Sequence, residues 1–265
     1  MKDDDRLPFT AHLDELRQRL IKCFIAVAVG FVASYAFKER IFNILVMPLA
    51  KVMKSGDHLI YTNLPEAFFT FLKTAFLSGL MVASPVILYQ FWMFVAPGLY
   101  HREKKLLLPI VLLSTVFFVG GALFGYFIVF PFGFKFFLSF GTEYIRPMPS
   151  MKEYLGFSSK LLLAFGLVFE LPLVITFLAR LGIVSVEFLK KQRKYAILVI
   201  FVAAAILTPP DVVTQVMMAL PLMLLYEISI VGARIFGRKK EADEVTETET
   251  QPDPAEEVQT EEEQP

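Results

Sequence analysis

Three glutamates stand where a carboxylate has chemistry to do. Glu15 lies in His12-Leu13-Asp14-Glu15-Leu16-Arg17-Gln18-Arg19-Leu20, and Glu103 lies in Pro97-Gly98-Leu99-Tyr100-His101-Arg102-Glu103-Lys104-Lys105. Leu13, Leu16 and Leu20 recur at spacings of three and four, so the first stretch reads as an amphipathic helix with Glu15, Arg17 and Arg19 on its polar side. By itself Glu15 reads as an i,i+4 partner of Arg19 on a membrane-surface helix, and Glu103 as an anion favoured by a helix start. Together, two carboxylates at one rim match a guanidinium-bearing ligand, because arginine pairs bidentately with carboxylate and lysine does not. The third, Glu170 in Phe169-Glu170-Leu171-Pro172, is flanked by apolar residues. A charge in mid-membrane costs about 2.5–3.5 kcal/mol, so Glu170 is expected to face a cavity, a partner or water, or else to be protonated. Gln215 is a candidate helix–helix hydrogen bond, Glu227 a rim-exposed acid, and Asp211 a helix cap or a contributor to partner docking.

Other chemistries find no residues. His12, His58 and His101 all fall outside the apolar segments, so no helix offers paired zinc ligands or a buried Ser–His pair. No glycine-rich phosphate loop is present, and the single cysteine, Cys23, cannot form an intramolecular disulfide. The chain therefore reads as a non-enzyme without a cofactor, and any energy source is external. The basic residues lack an interleaved aromatic stripe, so nucleic-acid binding is not expected.

The elements that position these groups are membrane spans. Of 265 residues, 55% are hydrophobic, 28 are Phe, and the mean hydropathy is +0.57, too apolar for an ordinary soluble domain. About 20 apolar residues cross a hydrocarbon core, and six segments qualify as candidates: Leu20–Phe37, Ala67–Ala96, Leu106–Phe130, Leu161–Leu178, Tyr195–Leu207 and Val212–Val231. Pro85 implies a kinked or tilted second span, and the fifth and sixth read as a short, shallow hairpin turning at Thr208-Pro209-Pro210-Asp211. Loops 38–66 and 131–159 are apolar enough to pack as a folded cap. No internal repeat is evident, which weighs against a carrier.

Lys and Arg placement sets the orientation. The amino tail, loop 100–105, loop 179–194 and the carboxyl tail, with Lys22 at the start of the first span, share 17 basic residues against 7 on the other side, so both termini are expected to be cytoplasmic. Residues 241–265 hold 11 of the 26 acidic groups and no Lys or Arg, leaving 26 basic against 15 acidic residues in 1–240. The expected organisation is a cytoplasmic amphipathic segment (1–19), a six-helix transmembrane domain (20–236) and a disordered acidic tail (237–265). The acidic start, with apolar sequence only from Leu20, does not read as a cleaved secretory signal.

The residues resemble a known family: TatC, the polytopic receptor subunit of the twin-arginine protein translocase. The resemblance covers roughly residues 8–236. It rests on the His12–Arg19 motif, Pro48, Ser84-Pro85, Phe94-Val95-Ala96-Pro97-Gly98-Leu99 with Glu103, Phe169-Glu170-Leu171-Pro172, and Thr208-Pro209-Pro210-Asp211. It implies an all-α integral membrane protein of six helices in a cupped arrangement with both termini cytoplasmic; of the two membranes open to it, bacterial inner membrane and thylakoid, the lack of an amino-terminal transit peptide favours the bacterial one. It also implies that Glu15 and Glu103 recognise paired arginines in the signal peptide of folded cargo, with Arg17, Arg19, Phe94, Leu99 and Tyr100 shaping that surface. Glu170, Asp211, Gln215 and Pro48 would lie in mid-membrane or partner contacts. Single-span TatA- and TatB-type subunits, and further copies of the chain, would be its partners, with the proton-motive force as driver. The competing reading is a proton-coupled small-molecule carrier with Glu170 as its midplane acid.

Overall fold

A computed structural model describes residues 9–54, 56–95, 107–142, 144–207 and 212–237, and the side chains of these residues except 9–12 and 107. Among the described residues it is helical with no strand. In chain order the helices are α1 (Phe9–Tyr35), α2 (Lys38–Ala50), α3 (Glu66–Val95), α4 (Leu107–Phe124), α5 (Phe130–Leu138), α6 (Met151–Phe169), α7 (Leu171–Arg180), α8 (Val186–Lys191), α9 (Arg193–Leu207) and α10 (Val212–Phe236). A π-helical turn, Gly125–Val129, joins α4 to α5. The apolar faces look outward: Phe24, Val29 and Val32 of α1 are all more than 60% exposed, which only a lipid surround makes tolerable.

Four stretches are long and apolar enough to cross a membrane: Glu66–Val95, Leu108–Leu138, Met151–Arg180 and Val212–Phe236. The first helix joins them as a fifth when its bent pairing with α2 is counted as one span. α9 has 15 residues, about 22 Å, and remains the short one. Three expected boundaries move. The sixth span is not short: α10 has 25 residues, about 37 Å, and continues past Val231 because Gly232 lets it lie against Thr176 of α7. The fourth starts ten residues early at Met151, where Ser150 caps the helix by accepting from the Glu153 amide at 3.3 Å. The third runs to Leu138 rather than Phe130, since Pro131 sits in the first turn of α5, where its missing N–H costs nothing. α1 passes unbroken through residues 19 and 20, so amphipathic segment and span share one rod.

α1 and α3 cross in close backbone contact. A Cβ on Gly79 would stand 2.5 Å from the Phe31 amide nitrogen, and one on Gly30 would stand 2.6 Å from the Gly79 carbonyl oxygen. Only glycine at both places allows the backbones this close. Lipid supplies no hydrophobic drive between helices, so such close packing is what holds them.

The expected cap is present as structure. α2 turns 88° from α1. Its Pro48 has no N–H for the Ile44 carbonyl, and the Tyr126 hydroxyl donates to that carbonyl at 2.5 Å. The buried Tyr154 hydroxyl donates to the neighbouring Leu45 carbonyl. Pro48 is itself buried in α2. Tyr126→Phe is therefore expected to lower thermal stability by about 1–3 kcal/mol in the wild-type background and far less beside Pro48→Ala, which restores the missing donor. A double-mutant cycle read by thermal unfolding in detergent checks this.

The segments that precede α3 and α6 meet at a parallel bridge between Ile60 and Ser150. Glu66, buried at the start of α3, fastens that junction. One oxygen accepts from the Thr62 and Asn63 amides and the Thr62 hydroxyl at 2.8, 3.4 and 3.1 Å; the other accepts from the Ser150 hydroxyl and the Lys152 amide at 2.8 and 3.1 Å.

Candidate functional site

The close α1–α3 crossing sets the register of one rim. From Gly30 and Gly79, eleven residues back along α1 and eleven forward along antiparallel α3 reach Arg19 and Gln90, about 16 Å from the crossing on each helix. These two side chains touch: Arg19 Nη1 donates to Gln90 Oε1 at 3.3 Å. Arg19 Nε also donates to Glu15 Oε1 at 2.9 Å, and Arg19 Nη2 pairs with the same oxygen. Glu15, Arg19 and Gln90 thus form one half-buried cluster at the amino-terminal end of α1. Gln90 was not foreseen in the sequence, and it ties the amphipathic segment to α3.

Phe94 lies one turn beyond Gln90 on the same face of α3 and is half-buried, which puts it beside that cluster. Arg17 stays exposed and outside it. Leu99, Tyr100, Glu103 and Asp211 fall outside the described residues, as do the Thr208–Asp211 turn and the tail from residue 238 onward.

The Glu15 carboxylate already holds a guanidinium, the one its own helix supplies. The ion pair is part-exposed, with side chains 15% and 30% accessible. The pair is local, i,i+4 along one helix, and it also holds Arg19 against Gln90. The Oε2 atom accepts no hydrogen bond among the described residues, and a second N–H can reach it.

Glu170 lies between α6 and α7, with Pro172 in the first turn of α7. Its side chain is 7% exposed. The buried Trp92 indole donates to Ser114 Oγ at 2.9 Å, and the Ser114 hydroxyl donates to Glu170 Oε2 at 2.5 Å. That chain ties α3 to α4 and to the α6–α7 junction. Phe177 of α7 closes it from the side, its ring edge-on to Trp92 at 4.9 Å. Glu170 Oε1 is buried with no hydrogen-bond partner. The other buried acid among the described residues is Glu66, at the opposite end.

α9 and α10 are joined by Gln215, whose Nε2 donates to the Phe201 carbonyl at 3.0 Å. Nearer the rim an exposed Arg193–Glu227 pair at 2.8 Å and the Tyr226 hydroxyl on the Leu189 carbonyl at 2.9 Å complete the hairpin. Among the described residues no group of three His, Cys, Asp or Glu stands close enough to hold a metal ion.

Comparison with known proteins covers most of the described body. The family model described as Sec-independent protein translocase protein (TatC) matches residues 11–221. A Sec-independent protein translocase protein TatC from Desulforapulum autotrophicum is 64% identical over 243 residues, covering 92% of this chain and 90% of that one. The Escherichia coli K12 protein of the same name is 39% identical over 244 residues, covering 91% and 95%. A crystal structure titled as the twin arginine translocase receptor TatC superposes with a TM-score of 0.77 at 43% identity, covering 86% of this chain and all of that one.

Proposed function

The chain belongs to the TatC family of Sec-independent protein translocase proteins and is a multi-pass membrane subunit of that translocase; on that premise we propose that it is the receptor for twin-arginine signal peptides. Glu15 and Glu103 engage the two guanidinium groups. A peptide arginine at Glu15 takes the place that Arg19 holds, with Gln90 and Phe94 beside it and Arg17, Leu99 and Tyr100 framing the surface. The observation that carries this reading is the Glu15–Arg19 pair, a carboxylate built to accept guanidinium N–H bonds at an accessible rim.

The signal's apolar stretch then lies along the cupped face in the membrane. Both termini face the cytoplasm of a bacterial inner membrane, a placement supported by the 17 to 7 division of basic residues. Single-span TatA- and TatB-type subunits and further copies of the chain assemble on the receptor. Glu170, Gln215, Asp211 and Pro48 contribute partner or mid-membrane contacts, and the proton-motive force drives export of folded cargo. Residues 1–19 form the cytoplasmic amphipathic segment, 20–236 the transmembrane domain and 237–265 the acidic cytoplasmic tail. A proton-coupled carrier gains no support, since among the described residues the one other buried acid, Glu66, sits at the far end of its span with both oxygens hydrogen-bonded.

Export of a twin-arginine reporter in cells that depend on this chain tests the proposal. The Glu15→Ala, Glu103→Ala double variant is expected to reduce export to background while its membrane level stays unchanged. Undiminished export would refute the site assignment.

A further inference from the structure

At the membrane end opposite the Glu15 rim, α3 and the first turn of α6 enclose a cavity of about 530 Å³. Lys73 and Lys152 both line it. Neither ammonium has an acidic partner among the described residues. The one carboxylate on the wall, Glu66, has both oxygens committed to donors from residues 62, 63, 150 and 152. The lysines are therefore not neutralised by a contact within the described chain.

Depth selects the ligand. Lys73 lies seven residues, about 10 Å, inside the start of the Glu66–Val95 span, where an ammonium extends its stem towards the headgroup layer. The rest of the wall is apolar: Leu64 and Phe69 are exposed, and Leu155 closes the floor. A separate apolar groove of about 360 Å³ lies further along α3 and α6, where Thr74 and Leu162 line it one turn below Thr70 and two turns below Leu155 of the cavity, with α2 and α4 forming its other walls. Cationic mouth and greasy channel together have the shape of a lipid. We propose that this site holds an anionic glycerophospholipid, its phosphate between Lys73 and Lys152 and one acyl chain in the groove along Leu77 and Met81.

The test uses the full chain, delipidated in detergent, with native mass spectrometry of bound phosphatidylglycerol, phosphatidylcholine and inorganic phosphate. The wild type is expected to retain phosphatidylglycerol in preference to phosphatidylcholine, and inorganic phosphate at millimolar concentration should not displace it. Lys73→Gln with Lys152→Gln should weaken phosphatidylglycerol retention by roughly thirtyfold, to the phosphatidylcholine level. Lys73→Arg with Lys152→Arg should keep it, as should Lys54→Gln, which removes a cation outside the cavity. An unchanged preference in the glutamine pair, equal retention of both lipids by the wild type, or displacement by inorganic phosphate would each overturn the proposal. If the glutamine pair does not fold, single Lys73→Gln and Lys152→Gln variants decide: partial loss in each supports the site, and no loss in either overturns it.

Discussion

Leucine at position 79 is expected to abolish the folded protein, whereas leucine at position 120 is expected to be tolerated. The two glycines lie in apolar spans and the substitution is the same. They differ in what a side chain would meet: the Phe31 and Gly30 backbone within 2.5–2.8 Å at Gly79, and nothing within 4 Å at Gly120. Overpacking by a few methylenes costs about 1–3 kcal/mol where side chains can yield. Here the obstacle is backbone, so α1 must move away bodily, carrying Arg19 off Gln90 and Glu15 away from α3. Monodispersity on size exclusion and thermal unfolding in detergent check the outcome. Comparable folding of the two leucine variants would show that the α1–α3 approach is not what holds the amino-terminal helix.

The second large effect belongs to Ser114. Its hydroxyl is both acceptor for Trp92 and donor to Glu170, so Ser114→Ala orphans a buried N–H and a buried carboxyl oxygen in one step. Each unsatisfied group costs about 1–3 kcal/mol, so a loss of about 2–6 kcal/mol is expected. Glu170→Gln, which keeps an acceptor for the serine, should cost much less; a loss of export in that variant would then belong to the charge and not to the fold. The chain's single tryptophan reports on the site directly, and Ser114→Ala should shift the Trp92 emission as well as the unfolding midpoint. An unchanged midpoint and spectrum would remove this chain of bonds from the list of what joins α3, α4 and α6.

These effects divide along a line that also separates what could be read from residues alone. Apolar runs announce a span whatever it packs against, so the spans were legible, and so were the local pairs Glu15–Arg19 and Gln215 with its neighbouring helix. Boundaries failed where a tertiary contact or a cap decided them. α10 was expected to stop at Val231, before Gly232-Ala233-Arg234, yet Gly232 is where α7 comes close, and the helix needs that glycine to continue. The start of α6 lies outside the apolar run, although Ser150-Met151-Lys152-Glu153 carries the capping signature.

The groups that the sequence did not single out are those whose partners are far along the chain. Glu66 has a capping pattern in Asn63-Leu64-Pro65-Glu66, but its second oxygen bonds residues 84 and 86 positions away. Ser114 and Gln90 look like ordinary polar residues in apolar helices. Nothing local distinguishes them, because their meaning comes from the α1–α3 crossing and from the Pro172 break that brings Glu170 against α4. Glu170 itself was legible because an acid in an apolar run is costly wherever it sits.

The central claim is that paired carboxylates read paired guanidinium groups, and binding of twin-arginine and twin-lysine signal peptides to the detergent-solubilised protein tests it most directly. The wild type is expected to prefer the arginine peptide by at least about tenfold, because only arginine offers a planar fork to a carboxylate. That preference should vanish in Glu15→Ala and in Glu103→Ala while both variants keep their unfolding midpoints. Equal affinity of the wild type for the two peptides, or a preference that survives both changes, would contradict it.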